Sequence, residues 1–207
     1  MTKDERDRPR YPIGGHMSDV VLGIARRFRL PALEQRHSSR YVLGIFAGIN
    51  GCISIGLMSL VAWATGQPFV FPSLGPTAFL LFYTPHLPSA WPKNTICGHL
   101  IGVLAGWFAL VAFGLQHSGP AVAVGVSGAR VGADAVALGL TALLMAVLAV
   151  PHPPAGATTL IISLGILTKL SELVVLMVGV VLLVVQGIVI NRLAGVDYPL
   201  WSRRVTT

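Results

Sequence analysis

Beyond residue 40 charge almost disappears from the chain, and no other feature constrains its fold so strongly. Of the 23 Asp, Glu, Lys and Arg residues among 207, 14 lie in residues 1–40 and nine follow. The stretches Tyr41 to Pro92, Asn94 to Ala129, Ala135 to Thr168 and Leu173 to Asn191 carry none. About 20 apolar residues cross the hydrocarbon core of a bilayer as a helix, so each stretch is as long as one crossing or longer. Composition agrees, at 54% hydrophobic and 11% charged with a mean hydropathy of +0.73, where soluble chains carry about 25% charged residues. A secreted disulfide scaffold, a nucleic-acid module and a disordered tail are excluded.

The expected fold is all-α and integral to the membrane, with a basic N-terminal segment over residues 1–40, a membrane domain over 41–190 and a short tail over 191–207. The net charge of +7 is explained by the first segment, which holds nine basic against five acidic residues directly before a span. That is the positive-inside pattern and places both termini in the cytoplasm of a multi-pass inner-membrane protein, the tail through Arg192, Arg203 and Arg204. The first long apolar run starts at Tyr41 and lacks a small-residue cleavage site, so no signal peptide is expected. Residues 18–30 set Val20, Val21, Ile24 and Phe28 at helical spacing beside Arg26, Arg27 and Arg29. This fits an amphipathic surface helix or a solvated basic leader. Cys52 and Cys97 sit in apolar runs and read as small packing residues.

Four long spans are expected, at about Tyr41–Thr65, Thr95–Leu115, Gly132–Val150 and Leu173–Ile190. The first carries Gly44, Gly48, Gly51, Cys52 and Gly56, which leave room for a neighbour. Gly98, Gly102 and Gly106 on the second form a small-residue stripe of the kind that brings helix backbones together in lipid, and would serve a homo-oligomer. Between the spans lie two apolar segments that prolines break. In the first, only Thr77–Tyr83 is expected to be helical; in the second, Ala155–Leu167. Arg130 and Asp134, at a boundary, have the spacing of an i,i+4 pair.

The two breaks resemble each other. Pro72-Ser73-Leu74-Gly75-Pro76-Thr77 and Pro153-Pro154-Ala155-Gly156-Ala157-Thr158 share P-x-x-G-x-T, followed in each by one small and two apolar residues. Each lies between two long spans, which suggests an internal repeat with halves at about 41–115 and 132–190. Interrupted segments at matching positions in two halves are the best sequence pointer to a transporter's binding site. A helix start there offers unpaired N–H groups and about half a positive charge, which suits an anion. Dipoles alone contribute about 0.3–2 kcal/mol each, less than an anion loses on dehydration, so further donors are required. The candidates are Ser73, Thr77, Thr158, Thr159, His152 and His99, with Gly75 and Gly156 exposing backbone and Lys93, Asn94 and Asn50 as weaker members. Four spans with two re-entrant loops would put both loops on one side. Six crossings would invert the halves and let the two short helices meet near the midplane, the arrangement a shared site favours.

The runs His152-Pro153-Pro154-Ala155-Gly156-Ala157-Thr158, Leu74-Gly75-Pro76-Thr77-Ala78-Phe79-Leu80-Leu81-Phe82 and Pro92-Lys93-Asn94-Thr95-Ile96-Cys97-Gly98-His99 resemble the HPP family of integral membrane proteins, named for its His-Pro-Pro motif. The resemblance covers about residues 40–190. It implies four transmembrane helices and, from members linked to nitrite transport, a small inorganic anion as substrate. Many members read Gly-Ala-Ser at Gly75-Pro76-Thr77 and Arg at Lys93. The function expected is therefore a transporter or channel for a small inorganic anion, most simply nitrite, without cofactor or metal. The alternative is an intramembrane enzyme using His152 or His99 with a Ser or Thr hydroxyl. It lacks a His-Glu-x-x-His pattern and a Gly-x-Ser-x-Gly elbow.

Overall fold

A computed structural model describes residues 29–34 and 39–203; the basic leader and its amphipathic stretch lie almost wholly outside them, as does Arg204. Every regular element among the described residues is helical: α1 (Leu30–Glu34), α2 (Ser39–Thr65), α3 (Leu74–Tyr83), a 3-10 turn (Pro88–Ala90), α4 (Pro92–Ala112), α5 (Ala121–Val124), α6 (Gly128–Val147), α7 (Ala155–Ser163) and α8 (Leu170–Leu193). Helices α2, α4, α6 and α8 have 27, 21, 20 and 24 residues, each about 30 Å or longer at 1.5 Å per residue. All four are apolar enough to cross a membrane. Ile45, Ile49, Ile53 and Leu57 on α2 and Val174, Val178, Val181 and Val185 on α8 face outward, as a lipid-bathed surface requires.

The short helices fall where the prolines stand, but their bounds differ from the sequence expectation. Helix α3 starts at Leu74 rather than Thr77. Pro76 is tolerated because it sits in the first turn, where no N–H has an intrahelical partner. Helix α4 likewise starts at Pro92, its first residue. Helix α7 stops at Ser163, four residues early, because the chain turns at Gly165 with φ +75°, a conformation that favours glycine.

Contacts at the two ends define the course of the chain. Leu30, Leu43, Tyr83–Leu87 and Val196 line one cavity; Pro88, Trp91, Lys93, Ala149, Pro151, Ser202 and Arg203 line another of 390 Å³. The Lys93 N–H bonds the Trp201 carbonyl at 2.9 Å, and the Tyr198 hydroxyl donates to the Ala90 carbonyl. These segments share the end that holds the C-terminal tail. At the opposite end Ala121 N–H bonds Leu164 O at 2.9 Å and Arg130 bonds Gly119 and Ser163. The chain thus passes between the ends six times: α2 away from the tail, residues 66–83 back, α4 away, α6 back, residues 148–163 away and α8 back.

Helix α4 is central. Gly98, Gly102 and Gly106 face α7 and its entry: a Cβ on them would come within 2.6 Å of the His152 Cβ, 2.7 Å of the Ala155 carbonyl oxygen and 2.8 Å of the Thr159 carbonyl oxygen. The stripe is therefore consumed inside the chain and is not available for the homo-oligomer it suggested. Gly44, Gly48, Gly51 and Gly56 on α2 meet no atom within 4 Å, and Cys52 is exposed, so that face has no packing partner among the described residues. Helix α3 packs on α8, where Gly187 accepts Leu81 and Gly179 accepts Leu74 and the Phe69 carbonyl. Leu74, Leu81, Phe82, Leu176, Val180 and Leu183 form the core beneath it.

Candidate functional site

Two histidines and two threonines from four segments meet inside this bundle with no solvent exposure. Thr77 and Thr158 are each the fourth residue of their short helix, on the first turn that sequence reasoning assigned to a ligand. His99 lies on α4 and His152 in the proline-flanked entry to α7. His99 Nδ1 is 2.7 Å from Thr158 Oγ1 and its Nε2 is 2.9 Å from Thr77 Oγ1. Thus one imidazole joins the starts of both broken helices. His152 Nε2 lies 3.2 Å from His99 Nε2 and 3.2 Å from Thr77 Oγ1, and the ring centroids are 4.8 Å apart. All four residues are 0% exposed, which in lipid is tolerated only where polar groups satisfy one another or line a cavity.

Donor and acceptor bookkeeping follows from groups with one option. The Ser89 carbonyl can only accept, so His152 Nδ1 carries a proton and donates to it at 2.7 Å. The Thr77 hydroxyl donates to the Ser73 carbonyl at 2.9 Å, leaving Oγ1 to accept from His99 Nε2–H. His99 Nδ1 then accepts from the Thr158 hydroxyl. The arrangement closes with one proton on each ring and no carboxylate among its hydrogen-bond partners. Ser73, the residue before α3, is the exception: it is 0% exposed and its hydroxyl has no partner. A buried hydroxyl left unpaired costs about 1–3 kcal/mol.

The other sequence candidates lie elsewhere. Thr159 faces α6, with Oγ1 2.8 Å from Thr141 Oγ1, and pins α7 to that span. Gly75 is exposed and a Cβ there meets nothing; at Gly156 it would reach only Leu138, at 3.4 Å. Each glycine precedes its threonine by two residues, about 200° around the helix at 100° per residue. Their Cβ directions turn away from the side chains of the cluster. Asn50 bonds the Phe46 carbonyl at 2.8 Å within its own helix, and Asn94 bonds the Pro88 carbonyl at 2.8 Å. Lys93 stands at the tail-end mouth. His152 does not cap the preceding helix; it reaches the turn before α4. Arg130 and Asp134 do not pair: Asp134 accepts the Ser163 hydroxyl at 2.5 Å, while Arg130 is buried.

Sequence reasoning missed Thr95, whose hydroxyl is 3.5 Å from His152 Nδ1, and Thr141, Ser89 and Asn191. Asn191 donates to the Leu81 carbonyl at 2.9 Å and so ties the last turn of α3, as Arg130 ties that of α7 at the Ser163 carbonyl. Thr95 had a signal, being one helical turn before His99; Asn191 is a polar residue ending a charge-free run. Ser89 acts through its carbonyl, which no side-chain pattern announces.

Fold and cluster together define a multi-pass helical membrane protein whose polar centre is assembled from two broken segments. The chain belongs to the HPP family: the family model described as HPP, transmembrane region, matches residues 35–199. A transmembrane protein of Dictyostelium discoideum is 28% identical over 134 residues, which are 62% of this chain and 44% of that protein. The chain thus spans less than half of that relative's length. No solved structure matches it.

Proposed function

We propose that this protein carries a small inorganic anion across the membrane, nitrite being the leading candidate, and binds it where the first turns of α3 and α7 converge on His99 and His152. The observation that carries this reading is the bridging of Thr77 and Thr158 by the two nitrogens of one imidazole. It brings two helix N-termini, each with about half a positive charge, to one buried point. Ser73, one turn before Thr77, carries a buried hydroxyl without a partner. Neutral donors without a neighbouring carboxylate suit a monovalent anion that sheds its water readily. An anion entering would take the Thr77 and Thr158 hydroxyls and a histidine N–H in exchange for their mutual bonds. Both halves of the membrane domain contribute equivalently in this reading, which treats them as an inverted repeat. Both termini and the Lys93 turn are cytoplasmic in it, supported by Lys93, Arg192 and Arg203 at one end.

The enzyme reading has one favourable distance, the 2.7 Å between His99 and Thr158, which matches a base and its nucleophile. However, both rings are oriented by hydroxyls and a carbonyl, with no carboxylate to support a developing imidazolium. Uptake by proteoliposomes of nitrite, nitrate, chloride and formate tests the proposal. Nitrite entry above that of protein-free vesicles, at a pH where nitrous acid is scarce, is expected. Uptake equal to protein-free vesicles for every anion overturns it.

A further inference from the structure

Arg130 is the largest fully buried side chain among the described residues, at 2% exposure, and it lies at the end of the bundle away from the tail. Its Nη1 donates to the Ser163 carbonyl at 2.6 Å and its Nη2 to the Gly119 carbonyl at 3.1 Å. A guanidinium has five N–H donors, so three remain. Among the described residues no carboxylate lies within ion-pair distance of it, the recorded ion pair being Arg203 with Asp197. The acidic side chain one turn further on, Asp134, is engaged by the Ser163 hydroxyl. The negative end of α7 offers about half a charge, which leaves a buried cation only partly neutralised. Such a cation is expensive in a protein interior and more so near lipid.

Arg130 also lines a cavity of 280 Å³ with Leu115, Ser118, Val124, Gly125, Val126 and Ser127. Ser127 is the residue before the twenty-residue helix α6, so a helix N-terminus and two hydroxyls share the cavity wall with the guanidinium. Gly165 packs on the guanidinium itself, where a Cβ would lie 3.1 Å from Nη2. We propose that this cavity binds a small monovalent inorganic anion as the counter-ion of Arg130. One fixed cation with Asp134 one turn away selects against divalent anions such as sulfate.

The site is distinct from the histidine pair. Along α7 the histidine pair touches Thr158 and Arg130 touches Ser163, five residues or about 7.5 Å apart at 1.5 Å each. An anion moving along α7 from the histidines would meet the negative end of the helix dipole. Arg130 reverses the sign of that end and makes it a resting place.

Thermal unfolding of the full chain in detergent, titrated with sodium nitrite, sodium nitrate and sodium sulfate at constant ionic strength, tests this. Nitrite and nitrate should raise the melting temperature of the parent protein and sulfate should not. Thr158→Val should lose only the part of the response that comes from the histidine pair and keep the part that depends on Arg130, which separates the two sites. Arg130→Lys should shift its midpoint to about tenfold higher anion, one step of 1.4 kcal/mol. Ser118→Asp supplies a built-in counter-charge, so it should melt higher than the parent without anion and, combined with Thr158→Val, lose the nitrite response. Absence of any nitrite response in the parent overturns the proposal. So does an equal response in Ser118→Asp, or a response that Thr158→Val alone removes.

Discussion

Thr158 touches a histidine nitrogen at 2.7 Å through one oxygen, and valine would keep its shape while removing that atom. Thr158→Val should weaken nitrite affinity by about 0.5–3 kcal/mol, the range for a hydrogen bond to a charged group and for one lost partner of a buried contact. Concentration dependence of uptake measures it. His152 separates structure from function. If its Nε2 contacts the anion by taking up a proton or exchanges one with it, His152→Ala should abolish uptake with melting little changed. A lowered melting temperature with normal uptake per folded molecule would reduce it to a brace on Ser89. At the tail end, burial pushes the Tyr198 phenol above its ordinary value. The sign follows directly. A raised acid is disfavoured when ionised in the fold, so the phenol stabilises fully below its unfolded pKa of about 10 and loses that contribution as pH rises through the folded value. The parent should therefore lose stability in strong alkali more than Tyr198→Phe does, measured by unfolding from neutral to alkaline pH.

The helices themselves show what a sequence reveals about elements and what it hides. The four spans stand near their expected places because a charge-free run of twenty residues has few alternatives. The first ends at Thr65 as expected and the other ends moved by two to four residues; Pro92, and Pro76 in α3, act as helix starters rather than breakers because they fall in a first turn. The glycines mislead more. Gly98, Gly102 and Gly106 and the set from Gly44 to Gly56 both recur about once per helical turn, yet only the first set holds a neighbour. Spacing marks a face, and what covers that face depends on long-range topology. Thr77, Thr158, His99 and His152 were legible as candidates because polar groups in lipid need a reason to exist; that one imidazole bridges both helices was not. Gly102→Leu should force α7 away from α4 and cost about 1–3 kcal/mol or more, seen as lower melting in detergent. Gly102→Ala should also destabilise, because the Cβ itself would lie 2.7 Å from a backbone oxygen. Gly75→Leu should be tolerated in both folding and uptake, contrary to what its motif suggests.

Across the whole molecule, the two broken segments each return the chain to the opposite end, and the Lys93 turn lies beside the tail. Cysteine at Pro88 in a chain lacking Cys52 and Cys97 should therefore be shielded from an impermeant external thiol reagent whenever the tail is cytoplasmic. Strong external labelling would contradict the six passes. Central to the proposed transport is a single anion site formed by the starts of α3 and α7. Nitrite uptake by Thr77→Val, Thr158→Val and the double variant, each confirmed as folded, tests it most directly. Both single changes should weaken affinity in the same direction, and the double change should cost less than their sum because the two hydroxyls share one ion. Impaired uptake in Thr158→Val together with unchanged affinity and rate in Thr77→Val would contradict the account and leave α7 as the sole candidate.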